Sequence, residues 1–514
     1  MKNIIYFLGV VCLVIVVLLN LVFTANLDAS EHITIQFNSI FYVIGLIIMG
    51  IMIFLVTYMI HKFLYKDADS EKKKKIKKNS FIIAFGIYIL FNIIWVITVR
   101  PGIVGDQIHA CNLAQTFYRN NLEEFLPNMT YAGIPLGEYM QAYHQQISLS
   151  FVFSIFFRFI HFDGIGILRV LNVIGNIAIV IALYQISKQL SKKYKTNKVR
   201  LLTLILTFIS LSMLSTFIYG DIPSLALCLF SVYFMMKYTE TKKIHYPILA
   251  SVFTMIAYMM RMNSLIFIIA TVIYLLLNLF KGITKKGWKE NGLNVSIIVM
   301  YIVISIVPAY VVQNYYLNKY GMDKDKEYPT ISYFLMAMEE APRGNGWYNE
   351  ARGEYALKNN ENAKTEYVEE IKNRLTYFSE NVGYTFEFYT KKLASMWTEN
   401  TYAAVRNNTT QENDPLENII EPLTFYQKSL LLVTCLCSLI VLIQNRKNLS
   451  YELIFLLTIF LGGFAFHILW EAKSRYIVPY IVVLIPIASI MINQFGLKEK
   501  LNHIMSHFKS EKNS

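Results

Sequence analysis

Charge is scarce in this chain. Of 514 residues, 16% are Asp, Glu, Lys or Arg, whereas 55% are hydrophobic and the mean hydropathy is +0.41. Soluble domains carry about a quarter of their residues as charged ones, so a water-soluble globular fold is excluded. Cysteine is scarce too. Four of the five, Cys12, Cys228, Cys435 and Cys437, fall in apolar runs, and Cys111 then has no outer partner for a disulfide. Cys435 and Cys437, two apart, project from different faces of a helix and make no metal pair. The chain has no GxxxxGKS/T phosphate loop, no GxGxxG and no HExxH. Nucleotide hydrolysis and zinc-helix chemistry therefore have no support. There is also no internal repeat, heptad array or low-complexity tract.

What the chain has is apolar runs near the 17–25 residues that cross a bilayer. They cover 4–23, 40–63, 81–99, 165–186, 201–219, 222–236, 248–260, 265–280, 295–312, 430–443, 453–470 and 477–492. No small-residue cleavage site closes the first, which therefore reads as a retained helix. The fold class is an all-α polytopic integral membrane protein. Stretch 147–162 has two readings. It is either an outer juxtamembrane or re-entrant helix, with Arg158 and His161 snorkelling, or a thirteenth span.

More than half of the Lys and Arg residues fall in alternate short connections, among them Lys72–Lys75, Lys188–Arg200, Lys237–Lys243, Lys281–Lys289 and Lys498–Lys512. The positive-inside rule makes those connections cytoplasmic, along with both termini. Net charge +13 is thus a topology signal with some attraction to membrane lipids. Scattered over separate loops, it is no nucleic-acid footprint. The resulting division is 1–78, a two-helix membrane extension with a basic loop; 79–313, a membrane core with an outer loop at 100–146; 314–427, a polar, mostly α extracellular insert; 428–496, the last spans; and 497–514, a basic tail. Within the insert, helical spacing marks 360–374 and 384–397.

The chemistry-bearing residues gather in the outer connections. Asp106 follows the span at 81–99 in Arg100-Pro101-Gly102-Ile103-Val104-Gly105-Asp106. Asp221 stands in Tyr219-Gly220-Asp221-Ile222-Pro223, where it can cap the next helix and also face a substrate. Arg261 lies at another outer turn, as an interface anchor or a phosphate ligand. Glu471, Lys473 and Arg475 share a short hairpin, Trp470-Glu471-Ala472-Lys473-Ser474-Arg475-Tyr476, as an internal ion pair or a site. Arginine holds a phosphate bidentately at any physiological pH, fixed cations neutralise a phosphate leaving group, and a carboxylate takes the proton of an attacking hydroxyl. Direct displacement inverts the sugar carbon.

In these residues the chain resembles the GT-C glycosyltransferases, specifically the polyprenyl-phosphate-sugar-dependent, protein-mannosyltransferase-like enzymes of bacteria. Four pieces carry the resemblance: Pro101-Gly102-x-x-x-Asp106; Tyr143-His144-Gln145-Gln146 followed by Gly164 and Ile167-Leu168-Arg169; Asp221-Ile222-Pro223; and Glu471-x-x-x-Arg475-Tyr476 with Pro479. The resemblance implies a polyprenyl-phosphate sugar as donor and an envelope glycan, teichoic acid, lipid or protein as acceptor, at the extracellular face of the cell membrane. It places Asp106 and Asp221 as catalytic acids and Arg261, Lys473 and Arg475 on the donor phosphate. Glu471, His144, Tyr476 and Trp347 become positioning residues, with Trp347 in a glycine-bearing loop where it can stack on a sugar or pack in a turn. It implies no nucleotide cofactor and no resident metal; Gln107, where several members have a second acid, points away from a metal-assisted variant, though a divalent metal is not excluded. The rival functions are a lipid-linked-sugar flippase and an envelope-glycan ligase or polymerase.

Overall fold

The computed structural model describes residues 1–65, 71–121, 123–125, 130–131, 133–161, 164–282, 288–409 and 414–492. The basic tail 497–514, with Lys66, Lys285 and Lys286, lies outside them. The chain is an α-helical, multi-pass membrane protein. Among the described residues eight helices are long and apolar enough to cross a membrane: Lys2–Val22, Ile40–Tyr65, Glu71–Thr98, Ile165–Leu190, Asp221–Thr241, Gly292–Lys319, Pro415–Gln444 and Tyr451–Leu469.

The other four runs expected as spans take different forms. The 201–219 run is a pair of helices, Lys198–Leu206 and Ile209–Thr216, bent by 48°. Runs 248–260 and 265–280 are the shorter apolar helices His245–Met260 and Ser264–Phe280. The last run is broken into Ser474–Ile477, Val478–Val482 and Ile485–Ala488. Pro479 and Pro486 explain the break, because each lacks the N–H that a continuing helix needs. Stretch 147–162 lies in a 17-residue helix, His144–Ile160, packed on Asp106–Arg119. Arg158 does not snorkel freely, since it donates to the Phe117 carbonyl at 3.0 Å.

Asp221–Thr241 forms the centre of the bundle, packed between Ile165–Leu190 and His245–Met260. Lys2–Val22 lies against Pro415–Gln444 and Tyr451–Leu469, so the N-terminal helix joins the core. Ile40–Tyr65 and Glu71–Thr98 are peripheral, with about a tenth of their apolar windows buried. Periodicity gave no sign of the antiparallel hairpin Phe23–Leu27 with Ile33–Phe37 that connects the first two helices.

That hairpin ties the N-terminus to the insert. Ala25 N–H donates to Thr398 O at 3.3 Å and Ile33 N–H to Arg343 O at 2.9 Å. At its tip Glu31 lies between Arg343 and Arg406, the latter at 2.7 Å. The insert itself contains Glu350–Lys358, Asn360–Glu380 and Val382–Trp397, which include both helices marked by spacing.

The broken last segment is held by close packing. A Cβ at Gly463 would stand 2.3 Å from the Tyr480 ring, and Tyr480 is fully buried. Gly463→Ala is therefore expected to cost about 1–3 kcal/mol by overpacking, read as a lower thermal midpoint in detergent. An unchanged midpoint would mean that Tyr480 is not seated there.

Candidate active site

Asp106 and Asp221 are each the first residue of a helix, and each follows a glycine at positive φ: Gly105 at φ 55°, ψ −134° before Asp106–Arg119, and Gly220 at φ 80°, ψ −2° before Asp221–Thr241. Residues with a Cβ seldom adopt that geometry. The chain thus turns sharply out of one element and starts a helix with a carboxylate on its positive end, a favourable position for an anion. This corrects the capping expectation: Gly220 is the cap residue, and Asp221 lies one position inside the helix, facing arginines.

Two tyrosines hold Asp106. Tyr139 donates its hydroxyl to Oδ1 at 3.0 Å and Tyr219 to Oδ2 at 2.9 Å. Gln146 donates to the Tyr219 hydroxyl, and Gln107 accepts from Ile218 N–H at 3.0 Å, fixing the Tyr219 segment against the Asp106 helix. The His109 ring stacks on Tyr139 at 3.9 Å. Burial, together with the charge of Asp106, holds the Tyr139 hydroxyl well above its usual range, so it remains a donor. Asp106 itself is exposed.

Asp221 meets both arginines. Arg261 Nε stands 3.4 Å and Arg475 Nε 3.8 Å from Oδ1, while Oδ2 is buried without a protein partner. Aromatic faces orient the guanidinium planes: Arg261 lies 4.5 Å over Tyr219, and Arg475 lies 4.0 Å over Phe217. Asn172 donates to the Ser215 and Phe217 carbonyls at 3.0 and 2.9 Å, bracing that ring. Burial works against the charge on Arg261, but Asp221, with Tyr219 and Tyr476, raises the guanidinium above its ordinary value. Tyr219 therefore links the two centres, bonded to Asp106 at its hydroxyl and covered by Arg261 on its face.

The final hairpin supplies the third wall. Lys473 Nζ lies 3.4 Å from Glu471, so the intraloop pair is formed. Burial disfavours the Lys473 ammonium, and Glu471, Tyr476 and Asp106 together more than restore it. The charges of Asp106 and Glu471 both reach Tyr143, Tyr333 and Tyr348, so the Asp106 segment and the final hairpin share one tyrosine-lined neighbourhood. Beside Asp221 lies a pocket lined by Arg261 and Arg475 on its polar side, with Leu225, Phe267 and Val478 among its apolar walls.

The structure brings Asp106, Asp221, Arg261, Glu471, Lys473, Arg475 and Tyr476 to one end of the bundle. Tyr476 lies beside His467, ring centroids 5.6 Å apart, and also lines the pocket. His144 faces the root of the insert, with Nδ1 3.7 Å from Glu327, and burial pushes its pKa down while Glu327 opposes. Trp347 is corrected: it is 1% exposed and donates to Ser395 Oγ at 2.8 Å, so its face is closed to a sugar. Sequence reasoning missed Tyr139, Tyr219 and Phe217, because nothing marks one tyrosine among 35 as the one that reaches an acid. It also missed Lys392. This side chain is fully buried, and its ammonium donates to the carbonyls of Ala337, Ile468 and Trp470 at 2.9, 2.8 and 2.9 Å. Burial pushes it down to about 7, with Glu471 opposing. Among the described residues no group of three or more His, Cys, Asp or Glu is arranged to hold a metal ion.

Residues 146–307 match the family model of the dolichyl-phosphate-mannose-protein mannosyltransferases. The GT-C resemblance is borne out over that stretch, which holds Gln146, Asp221 and Arg261. Asp106 and the hairpin Glu471–Arg475 lie outside it. No curated protein matches the chain. Among solved structures the chain is similar to the archaeal oligosaccharyltransferase AglB from Archaeoglobus fulgidus, determined in complex with an inhibitory peptide and a dolichol-phosphate. The identity is 14% and the TM-score 0.41, over 80% of this chain and 50% of that one. The chain thus spans about half the length of the solved structure it matches.

Lys392 joins the insert to the hairpin that carries Glu471, Lys473 and Arg475, and Ala472 N–H adds a bond to Gly346 O at 2.7 Å. Lys392→Met keeps the stem but removes all three donors. The expected loss is on the order of 1–3 kcal/mol for each carbonyl left unsatisfied, together with faster proteolysis at 468–476. A variant as stable and as protease-resistant as wild type would show that this ammonium does not hold the hairpin.

Proposed function

We propose that this chain is a membrane glycosyltransferase that moves a sugar from a polyprenyl-phosphate donor to a hydroxyl of a cell-envelope acceptor. The acceptor is a teichoic acid, polysaccharide, lipid or protein. The transfer takes place at the outer face of the membrane, with both termini cytoplasmic, and inverts the sugar carbon. It uses neither nucleotide nor nucleic acid. The observation that carries this reading is the pocket beside Asp221, whose two guanidiniums face apolar walls. An amphiphile with a phosphate head and a hydrocarbon tail fits that division, and the family match over 146–307 supports the same donor class.

The chemistry follows from the charges. Arg261 and Arg475, only partly neutralised by one carboxylate, receive the donor phosphodiester. The acceptor oxygen attacks the anomeric carbon as its proton passes to Asp106. Tyr139 and Tyr219 occupy one lone-pair position on each Asp106 oxygen, and the carboxylate has others free for the acceptor. The bond from the anomeric carbon to the phosphate oxygen breaks, and the lipid phosphate leaves with one further negative charge. The arginines and Lys473 neutralise that charge. Attack and departure on opposite faces of the sugar give inversion.

The test is a strain lacking this chain, complemented with wild type or with Asp106→Asn at equal membrane abundance. One envelope sugar should disappear, return with wild type and stay absent with the variant, whose transfer rate in membranes should fall about 10²–10⁴-fold. Full rescue by Asp106→Asn would overturn the assignment of the base and move the flippase reading ahead.

A further inference from the structure

The end of the bundle opposite the two acids carries a second convergence of charge. His61 and Tyr65 close the helix Ile40–Tyr65, Lys77 lies near the start of Glu71–Thr98, Tyr184 lies near the end of Ile165–Leu190, and Lys198 and Arg200 open Lys198–Leu206. Lys77 Nζ stands 3.9 Å over the Tyr65 ring, and Tyr65 stacks on His61 at 4.3 Å. Lys198 donates to the Tyr184 hydroxyl at 3.3 Å, and Phe81 meets Tyr184 at 5.8 Å. Arg200 lies 4.5 Å over Phe54 and donates to Ala488 O at 3.1 Å. The charges of Arg200 and Lys77 both reach His61, and that of Lys198 reaches Tyr65, so four helices turn these groups toward one another.

We propose that this cluster binds the phosphate headgroup of an anionic membrane lipid. Among the described residues no carboxylate lies within ion-pair distance of Lys77, Lys198 or Arg200. Other cations at the same end do have one: Glu240 takes both Lys192 and Lys237. Arg200 is 2% and His61 8% exposed, yet Arg200 Nε and His61 Nδ1 have no protein partner. A buried guanidinium without a counterion is costly unless an anion arrives to pair with it. The flanks choose a lipid over a free phosphate. Ile60, Phe63, Ile82 and Ile83, on the two peripheral helices beside the cluster, are 43–64% exposed, which suits acyl chains running along them. Basic clefts between membrane helices hold lipid phosphates in this way.

The test uses the full chain in detergent, titrated with phosphatidylglycerol and with phosphatidylcholine and read by native mass spectrometry. Wild type should prefer phosphatidylglycerol. Lys77→Gln with Lys198→Gln should weaken that binding about fivefold per cation, some 25-fold together. Lys72→Gln with Lys75→Gln removes the same charge from exposed positions on the same helix and should leave it unchanged. No preference in wild type, equal losses in both double variants, or displacement of the lipid by millimolar inorganic phosphate would each overturn the proposal.

Discussion

The ion pairing of Asp221 with Arg261 and Arg475, at one end of a largely apolar bundle, is the interaction on which that end depends. Three charges largely withdrawn from water are tolerable only when they neutralise one another and keep further partners. The helix N-terminus favours Asp221, and the faces of Tyr219 and Phe217 favour the two guanidiniums. The contacts at 3.4 and 3.8 Å are longer than hydrogen bonds. The arrangement thus stays charged, pre-oriented and incompletely satisfied, the condition expected of a site that awaits an anion.

The surrounding architecture keeps those groups in register. Arg475 lies on a hairpin whose own backbone is short, so its position comes from elsewhere: Lys392 holds the carbonyls of Ile468 and Trp470, and Gly346 holds Ala472. The insert is in turn tied to the first two helices through Glu31 and the backbone bonds of the N-terminal hairpin. Arg406 belongs to both systems. It pairs with Glu31 and lies in the field of Arg475, and burial with its two arginine neighbours pushes it down to about 10. Segments far apart in sequence therefore converge on one polar face, which explains why the insert's last helix buries a lysine completely.

Much of this was readable before the fold. Apolar runs gave the membrane class, and alternation of basic connections brought Asp106, Asp221, Arg261 and the 471–476 hairpin to one end. Glycine before each acid was visible as well, although its meaning as a positive-φ entry to a helix was not. Helix regularity was overestimated in two runs, 201–219, which is bent, and 477–492, which prolines break, whereas Pro308 leaves the helix through 295–312 continuous. Groups selected by tertiary geometry stayed hidden: Tyr139 and Tyr219 are ordinary tyrosines until their hydroxyls meet Asp106, and Lys392 looks like a solvated helix residue. Trp347 shows the opposite error. A tryptophan in a glycine-bearing polar loop suggests a sugar platform, yet the loop folds inward and the indole N–H finds Ser395.

The central claim is that Arg261 and Arg475 receive a lipid phosphate beside the apolar walls of this pocket while Asp106 stands on the acceptor side. A cryo-electron microscopy structure of the full chain with a bound polyprenyl phosphate tests it most directly. The account places the phosphate between the two guanidiniums, with the first isoprene units against Leu225, Phe267 and Val478. Phosphate density at a different position, with Asp221 still closed on both arginines, would contradict it.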